Sequence, residues 1–218
     1  MPNVRVLIAD DHEIVRRGLR AILTEQPGYE VVGEAGDGRD AVQKAKALKP
    51  DIAMLDISMP QLNGLEAARQ MLKDDPQCKI LILTMHESDA VIRDVLDTGA
   101  RGYLLKSDAN RDLINAIDAI RRNKTFFTAR VAQMVVDGYL DKKPKLNDPE
   151  SHKSVLTSRQ REIVQLLAEG KSSKEVAVAL NLSVKTAETH RANIMNRLDC
   201  HSVSELVLYA VRNNIIQA

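Results

Sequence analysis

Tryptophan is absent from this chain of 218 residues, and aromatic residues make up only 3% of it. The rest of the composition is that of an ordinary soluble protein, with 44% hydrophobic and 28% charged residues. A chain of this length can form one large domain or two modest ones. The net charge of +1 is weak evidence for nucleic-acid binding, although residues 1–140 are slightly acidic and the remainder is slightly basic.

Cysteine is scarce, and long apolar runs are missing. Cys78 and Cys200 lie far apart, without a Cys-x-x-Cys motif or a neighbouring histidine cluster, which argues against a disulfide framework or a zinc site. Two free thiols in a reducing cytoplasm are expected instead. No run approaches the roughly 20 apolar residues needed to span a bilayer, and the N-terminus lacks the pattern of a signal peptide. These absences predict a cytoplasmic protein.

Two nucleotide-binding motifs are also missing. The chain contains no Gly-x-Gly-x-x-Gly loop of the dinucleotide-binding type. No Walker lysine motif is present. The sequence therefore argues against the enzyme classes that depend on these loops.

Residues 4–122 alternate short apolar runs with segments of helical periodicity. The predicted strands are residues 4–9, 29–34, 52–55, 80–83 and 102–105. The predicted helices lie around residues 14–23, 39–48, 65–72, 89–98 and 110–122, and the apolar side of the first consists of Ile14, Val15, Leu19, Ile22 and Leu23. Strict alternation over five strand–helix pairs predicts an α/β fold with a parallel sheet covered on both faces.

Polar residues follow four of these strands. Right-handed crossovers place the C-terminal ends of parallel strands on one edge of the sheet, where open α/β sheets bind ligands. The residues expected at this edge are Asp10, Asp11, Asp56, Thr84 and Lys106. The sequence therefore predicts one shared site of acids, a hydroxyl and a lysine.

This residue set suits the transfer of a phosphoryl group to a carboxylate. Asp56 is the candidate nucleophile. Asp10 and Asp11 would repel it unless a hard divalent cation were bound, and Mg²⁺ is the expected ion because it prefers oxygen ligands. Lys106 can pair with the free carboxylate and neutralise a phosphoryl oxygen, and the Thr84 hydroxyl can donate to that same oxygen.

The C-terminal part of the chain contains no strand signal. Residues 123–152, with their charges, prolines and turn formers, are expected to form a partly helical linker. Four helices are predicted after it: one whose start places a cap at Thr157 or Ser158 near Glu162, as in a capping box, a short one capped by Ser172 or Ser173, a third over residues 184–198 and a fourth over residues 202–213. The short turn between the second and third helices is typical of a helix-turn-helix motif.

The third of these helices has the pattern of a DNA-reading helix. A recognition helix enters the major groove with its N-terminus first, so its outward residues would meet base edges: Lys185, Glu188, Thr189 and Ala192. Residues at its flank and at the start of the preceding helix would bind phosphate oxygens: Ser173, Lys174 and Arg191. His190 is in phase with the apolar side and is expected to be structural.

Residues 3–122 resemble the receiver domain of two-component response regulators. The resemblance rests on Asp10-Asp11, Asp56, Met59-Pro60, Gly64, Thr84 and Lys106. It implies a flavodoxin-like (βα)5 fold in which Asp56 is the phosphoacceptor and Tyr103 is an aromatic switch coupled to Thr84. It also implies that Asp11, Asp56 and the Ser58 backbone carbonyl bind Mg²⁺, with Asp10 assisting through water.

Residues 154–218 resemble the LuxR-type four-helix domain of NarL/FixJ-type regulators. The matching segments include residues 169–172, 182–186 and 190–194. The resemblance implies that the last helix mediates dimerisation, with Val203, Leu206, Val207, Ala210 and Val211 as its apolar residues. The partners it implies are a sensor histidine kinase, double-stranded promoter DNA, a second copy of the phosphorylated chain and RNA polymerase.

The whole sequence predicts a DNA-binding response regulator, not an enzyme, that controls transcription after a partner histidine kinase phosphorylates Asp56. The expected boundaries are a receiver domain at 1–122, a linker at 123–152 and a DNA-binding domain at 153–218. One alternative is a transcription factor whose receiver domain serves only as a dimerisation scaffold. Another is a phosphatase, which is disfavoured because haloacid-type phosphotransferases need a second aspartate where this chain has Ser58.

Overall fold

The alternating pattern of the N-terminal part folds into a sheet with helices, and the C-terminal part folds into helices alone. The computed structural model describes residues 3–85, 88–128, 131, 133 and 156–216. The elements form two compact units, the first with the sheet and its helices and the second with four helices. Within the described ranges, every helix is too short or too polar to cross a membrane.

Five parallel strands form one sheet in the order β2-β1-β3-β4-β5. They are β1 (Val4–Ala9), β2 (Tyr29–Ala35), β3 (Ile52–Asp56), β4 (Lys79–Thr84) and β5 (Gly102–Leu105). Every residue of the central strand β3 is buried, which explains its uninterrupted apolar run. The strand order reverses between β1 and β3, and this is where ligands bind in open α/β sheets.

Five helices flank this sheet. They are α1 (Glu13–Thr24), α2 (Gly38–Leu48), α3 (Gly64–Asp74), α4 (Asp89–Thr98) and α5 (Ala109–Arg121), and a short 3₁₀ turn over Lys106–Asp108 precedes α5. Helix α1 packs against α5, whereas α3 packs against both α2 and α4. Two helices therefore cover one face of the sheet and three cover the other, which confirms the predicted doubly covered parallel sheet.

The predicted apolar side of α1 is wrong at one position. Ile14 was expected to face the core, but its side chain is 86% exposed. Leu19 and Leu23 are buried, and Val15 packs against the same core. Successive helical residues are rotated by about 100°, so Ile14 lies well away from the direction that Val15 shares with Leu19.

Within the predicted linker, Phe126 joins the sheet edge. Phe126 forms an isolated parallel bridge with Gly102, and its carbonyl accepts a hydrogen bond from the Tyr103 amide at 2.9 Å. The Phe126 side chain packs against the core of the first unit. This pairing covers part of the otherwise open edge of β5. Most of residues 129–152 lie outside the described part of the chain.

Four helices form the second unit. They are α6 (Ser158–Ala168), α7 (Ser173–Ala179), α8 (Val184–Arg197) and α9 (Val203–Arg212). Helix α8 packs against α6 and α7, and α9 packs against α6. Their shared core contains Ile163, Leu166, Val176, Ala187, Ile194, Leu206 and Ala210. The helices and the short turn between α7 and α8 confirm the predicted helix-turn-helix arrangement.

Side-chain caps start each of these helices. Thr157 caps α6, but its capping-box partner is Gln160 and not the predicted Glu162. The partner in a capping box stands three residues after the cap, and only Gln160 meets this requirement. Glu162 is instead buried. The other caps are Ser172, Ser183 and Ser202.

Candidate functional site

The polar strand ends of the first unit meet at one edge of the sheet. Asp10 directly follows β1, and Asp56 is the last residue of the adjacent strand β3. Asp56 pairs with Leu83 of β4. Thr84, which follows Leu83 in the same strand, pairs with Leu105 of β5. Paired strands lie about 4.8 Å apart, so the ends of four strands form one continuous edge. The predicted site residues are therefore neighbours, as the sequence indicates.

Lys106 links two of the acids. Its Nζ atom lies 2.7 Å from Asp10 Oδ2 and 3.0 Å from Asp56 Oδ2. The Lys106 side chain is only 7% exposed, and both carboxylates are buried. Asp11 adds a third carboxylate at the solvent side of this pair. One buried cation thus faces more negative charge than it can neutralise.

The acids and the lysine shift each other's ionisation. Burial raises the pKa of Asp56, the Lys106 ammonium opposes that rise, and the Asp10 carboxylate adds to it. Burial acts to lower the pKa of Lys106, but its hydrogen bond to Asp10 and its attraction to Asp56 outweigh burial and raise that pKa. Lys106 is therefore a cation at neutral pH, whereas ionised Asp56 benefits from any further positive charge.

A cluster of potential metal ligands lies beside Lys106. One ligand atom each from Asp10, Asp11, His12 and Asp56 can be chosen so that all lie within 4.8 Å of one another. Carboxylate oxygens at this spacing fit a hard divalent cation such as Mg²⁺. Ser58, the predicted source of a carbonyl ligand, lies two residues beyond β3 and is half-buried.

Thr84 and Tyr103 lie on neighbouring strands. Both are buried, and Tyr103 is completely inaccessible although β5 is an edge strand. Tyr103 pairs with Ile82, which stands two residues before Thr84. Because residues i and i+2 of a strand share a face, Tyr103 and Thr84 are diagonal neighbours on one face of the sheet.

Gly64 fixes the backbone that follows Asp56. Its amide donates a hydrogen bond to the Ile57 carbonyl at 2.9 Å. A Cβ atom at position 64 would lie 1.9 Å from the Asp56 backbone oxygen, closer than any real contact. Glycine is therefore required where the start of α3 meets the end of β3.

Two contacts of Asp10 were missed by the sequence argument. The Arg16 guanidinium donates to the Asp10 backbone carbonyl at 2.7 Å and pairs with Glu34 at 3.5 Å. The His12 amide donates to Asp10 Oδ1 at 2.9 Å, and His12 Nδ1 lies 2.7 Å from Asp11 Oδ1. The run Asp10-Asp11-His12 is a sequence signal for a ligand cluster, whereas the contact of Arg16 depends on the fold and has no local signal.

In the second unit, helix α8 presents one polar side. The predicted base-reading residues are all exposed: Lys185, Glu188, Thr189 and Ala192. Their spacing of three and four residues places them on a common face of the helix. Ala187 and Ile194 on the other side are buried, and His190 is half-buried, as its inward phase indicates.

The predicted phosphate-binding residues differ in exposure. Lys174 is exposed, whereas Ser173 and Arg191 are half-buried. The neighbouring Ser172 hydroxyl accepts a hydrogen bond from the Glu175 amide at 3.3 Å, so this hydroxyl caps α7. The start of α7 therefore offers Lys174 as its accessible cation.

Helix α9 divides its apolar residues between core and surface. The resemblance groups Val203, Leu206, Val207, Ala210 and Val211 as a dimerisation side. Leu206 and Ala210 are fully buried within their own unit, which removes them from that surface. Val203 and Leu208 are instead exposed, at 44% and 53%. Of these two exposed residues, Val203 belongs to the expected dimerisation side and Leu208 does not.

A parallel sheet with an acid–lysine cluster at its C-terminal edge, followed by a helix-turn-helix unit, defines the response-regulator class of protein. A family model of the response regulator receiver domain matches residues 6–118, and a model of bacterial regulatory proteins of the luxR family matches residues 154–210. The chain belongs to the response regulators of the NarL/FixJ type, with a receiver domain and a LuxR-type domain.

Several known proteins are similar along most of this chain. Response regulator protein VraR from Staphylococcus aureus is 36% identical over 99% of this chain and all of its own length. A structure of two RcsB dimers bound to two parallel DNAs is 29% identical, with a TM-score of 0.58, over 97% of this chain and 98% of that one. The isolated receiver domain of RcsB from Salmonella enterica serovar Typhimurium, solved with the phosphomimetic BeF₃⁻, is 32% identical over 61% of this chain and 98% of that one, with a TM-score of 0.56.

Proposed function

We propose that the first unit accepts a phosphoryl group on Asp56 and that this modification controls DNA binding by the second unit. The observation that carries the proposal is the position of Lys106 Nζ, 2.7 Å from Asp10 and 3.0 Å from Asp56. A lysine held there pairs with the Asp56 carboxylate before the reaction and with a phosphoryl oxygen after it.

The phosphoryl donor in this proposal is a phosphohistidine of a sensor kinase. An Asp56 carboxylate oxygen attacks phosphorus, so an O–P bond forms while the P–N bond to the histidine breaks. The leaving imidazole nitrogen takes up a proton from solvent. Because burial raises the pKa of Asp56, the Lys106 ammonium is needed to favour the ionised nucleophile. The RcsB receiver solved with a phosphomimetic supports this assignment.

Mg²⁺ is the ion that the acid cluster would hold. Asp11, Asp56 and the Ser58 carbonyl would be its protein ligands, with Asp10 acting through water. When bound, Mg²⁺ supplies positive charge to the phosphoryl oxygens that Lys106 does not reach. The convergence of three carboxylates beside a single buried lysine supports this role.

Thr84 and Tyr103 act together as the switch in this proposal. The Thr84 hydroxyl donates to a phosphoryl oxygen on Asp56. Tyr103 responds to this change at Thr84 because the two residues are diagonal neighbours on the same face of the sheet. Both residues lie near α4 and α5 in the chain, so their arrangement biases those elements toward one of two forms. The favoured form releases or dimerises the second unit.

The second unit binds double-stranded promoter DNA in this proposal. Helix α8 enters the major groove with Lys185 and Glu188 near the bases, since these residues lie in its N-terminal half. Thr189 and Ala192 offer methyl groups to thymine. Ser173, Lys174 and Arg191 contact phosphates. The structure of RcsB dimers bound to DNA supports this assignment.

Phosphorylation promotes a homodimer in this proposal. One small helix-turn-helix makes few contacts, whereas two on spaced half-sites raise each other's effective concentration. The exposed Val203 and Leu208 of α9 are the apolar groups available for such a contact. RNA polymerase is a further partner in this proposal, and it meets the protein at the promoter. The proposed location is the cytoplasm, because the promoter DNA lies there.

Footprinting on promoter DNA with and without an acyl phosphate tests the proposal. We expect the donor to lower the protein concentration needed for protection of wild-type sites and to leave the Asp56→Asn variant unchanged. Equal protection by both proteins, with or without donor, would support the phosphorylation-independent transcription factor instead. Sustained hydrolysis of a phosphoester would support the phosphatase alternative.

A further inference from the structure

His12 belongs to the cluster of potential metal ligands at the Asp56 site, but the Mg²⁺ ligand set proposed above does not include it. We propose that the His12 imidazole is a direct ligand of the metal ion at this site and biases the site toward divalent transition-metal ions relative to Mg²⁺. This inference rests on the proposed function, since it concerns the same metal site. It adds a nitrogen ligand to a set otherwise made of oxygens.

The distances around His12 fit neighbouring ligands of one ion. His12 Nδ1 lies 2.7 Å from Oδ1 of Asp11, a proposed ligand, and 3.3 Å from Oδ1 of Asp10, which would act on the ion through water. Two adjacent ligands of an octahedral ion with bonds of about 2.1 Å are about 3 Å apart. All four candidate atoms, including one from Asp56, lie within 4.8 Å of one another, slightly more than the span of about 4.2 Å between opposite ligands of one such ion.

The backbone holds His12 in a position from which it can reach this ion. His12 occupies the N-cap of α1 with extended dihedral angles, but its side chain makes no capping hydrogen bond. Its amide is instead fixed by Asp10 Oδ1 at 2.9 Å. The imidazole is 65% exposed, so it lies at the solvent side of the cluster, opposite the buried Lys106.

A nitrogen ligand changes which ions a site prefers. Mg²⁺ binds carboxylate, carbonyl and water oxygens and gains little from an imidazole. Imidazole suits transition metals, whose affinity for such ligands rises from Mn²⁺ towards Co²⁺ and beyond. Removal of the His12 imidazole should therefore weaken Co²⁺ binding far more than Mg²⁺ binding.

An ion pair between His12 and the two acids would give the same distances without any metal ligation. The two explanations differ in metal selectivity. If the imidazole were only a counter-ion, its removal would relieve competition with the metal and would strengthen or equally affect the binding of both ions. A selective loss of Co²⁺ affinity follows from ligation alone.

Calorimetric titration of the full-length, metal-free protein with Co²⁺ and Mg²⁺ at one neutral pH tests this inference. We expect His12→Ala to weaken Co²⁺ binding on the order of tenfold or more and to change Mg²⁺ binding by less than about threefold. His201→Ala is the matched control, because His201 is also an exposed histidine near an aspartate, with Nε2 4.0 Å from Asp199. Its Co²⁺ affinity should equal that of the wild type.

Electron spin-echo spectra of bound Mn²⁺ give a readout independent of affinity. We expect a histidine nitrogen coupling in the wild type and in His201→Ala, and its loss in His12→Ala and His12→Asn. Persistence of the coupling in the His12 variants, or equal changes in Co²⁺ and Mg²⁺ affinity, would overturn the ligand role. Absence of Mg²⁺ binding by the wild type would instead contradict the proposed metal site itself.

Discussion

At the scale of single residues, the chemistry of the site depends on how one ammonium shares its charge. Lys106 Nζ contacts Asp10 at 2.7 Å and Asp56 at 3.0 Å, so two buried carboxylates share one ammonium. Burial makes this imbalance costly, because unpaired charge is poorly solvated inside a protein. The metal-free site therefore favours the binding of a further cation and keeps the Asp56 carboxylate reactive. The same arrangement lowers the stability of the folded protein.

This cost leads to a prediction for Asp56→Asn. The pKa of folded Asp56 is raised above its ordinary value of 3.8, so ionisation costs the folded state more than the unfolded one. That penalty is absent below the unfolded-state pKa and grows as pH rises through the folded-state pKa. In the presence of a chelator, urea unfolding should show Asp56→Asn more stable by about 1 kcal/mol at neutral pH and equal to the wild type in acid.

The same comparison contains its own control. Added Mg²⁺ should stabilise the wild type by mass action and should narrow the difference from Asp56→Asn, which lacks one metal ligand. A wild type that is as stable as Asp56→Asn at neutral pH without metal would show that the three carboxylates do not repel one another.

Tyr29 provides a second test, in which the pH effect has the same sign as that of Asp56 but lies in the alkaline range. Burial and a hydrogen bond to Asp118 at 2.8 Å raise the pKa of Tyr29 to about 12. The neutral phenol is thus favoured in the folded state, and the stabilisation is present below pH 10.0 and lost as pH rises through about 12. Tyr29→Phe should lower the free energy of unfolding by about 1 kcal/mol at neutral pH, as measured by urea unfolding.

Asp118→Asn is a useful companion to this variant. Its side-chain carbonyl can still accept from the Tyr29 hydroxyl, so the loss should be smaller than that of Tyr29→Phe. A loss of equal size in both variants would mean that the carboxylate charge, and not the hydrogen bond, is what matters at this position.

At the scale of elements, the approach of α3 to the end of β3 positions Asp56. Gly64 opens α3 and lies so close to Asp56 that any Cβ would collide with its carbonyl oxygen. Gly64→Ala should therefore lower the free energy of unfolding by about 2 kcal/mol through backbone displacement and slow phosphorylation. Urea unfolding and the rate of labelling by an acyl phosphate measure the two effects.

Gly18→Ala is the matched control for this prediction. Gly18 lies in α1, and a Cβ there would meet nothing within 4 Å. Because alanine is the better helix former, this variant should be as stable as the wild type or more stable by up to about 1 kcal/mol. Comparable losses in both variants would contradict a special role for Gly64.

The polar side of α8 can be tested in a similar way. Lys185→Ala removes an exposed cation from the first turn of α8, the part of the helix that is proposed to contact the bases. This variant should bind promoter DNA more weakly, by about tenfold or more. Arg197→Ala removes an exposed cation from the last turn of α8 and should have a smaller effect. Fluorescence anisotropy with labelled promoter DNA gives both affinities. Equal losses would indicate that charge alone, and not the placement of the helix, determines binding.

At the scale of the whole molecule, alternation and strand-end chemistry were enough to predict the sheet, its helices and the residues that meet at its edge. Small errors of extent remain, since β2 includes Ala35 and β3 includes Asp56. Periodicity works here because β3 is buried along its whole length and its apolar run has no other explanation. The four helices of the second unit follow equally well from their caps and spacing.

Contacts between distant segments could not be predicted in this way. Arg16 donates to the Asp10 carbonyl only because the fold brings these two residues together. The same is true of the bridge between Phe126 and Gly102. The exposure of Ile14 and the burial of Leu206 likewise depend on which neighbouring element packs against each helix. A linear pattern shows which side of a helix is apolar but not how far another element covers it.

Asp56 is proposed to carry the phosphoryl group, and measurement of the intact protein mass gives the sharpest test of that role. Wild-type protein and Asp56→Asn are incubated with an acyl phosphate and Mg²⁺, and the covalent label is located by peptide mapping. We expect the mass of a single added phosphoryl group on the wild type, mapped to the peptide that contains Asp56, and no label on the variant. An unlabelled wild type, or a variant labelled to the same extent, would contradict this role of Asp56.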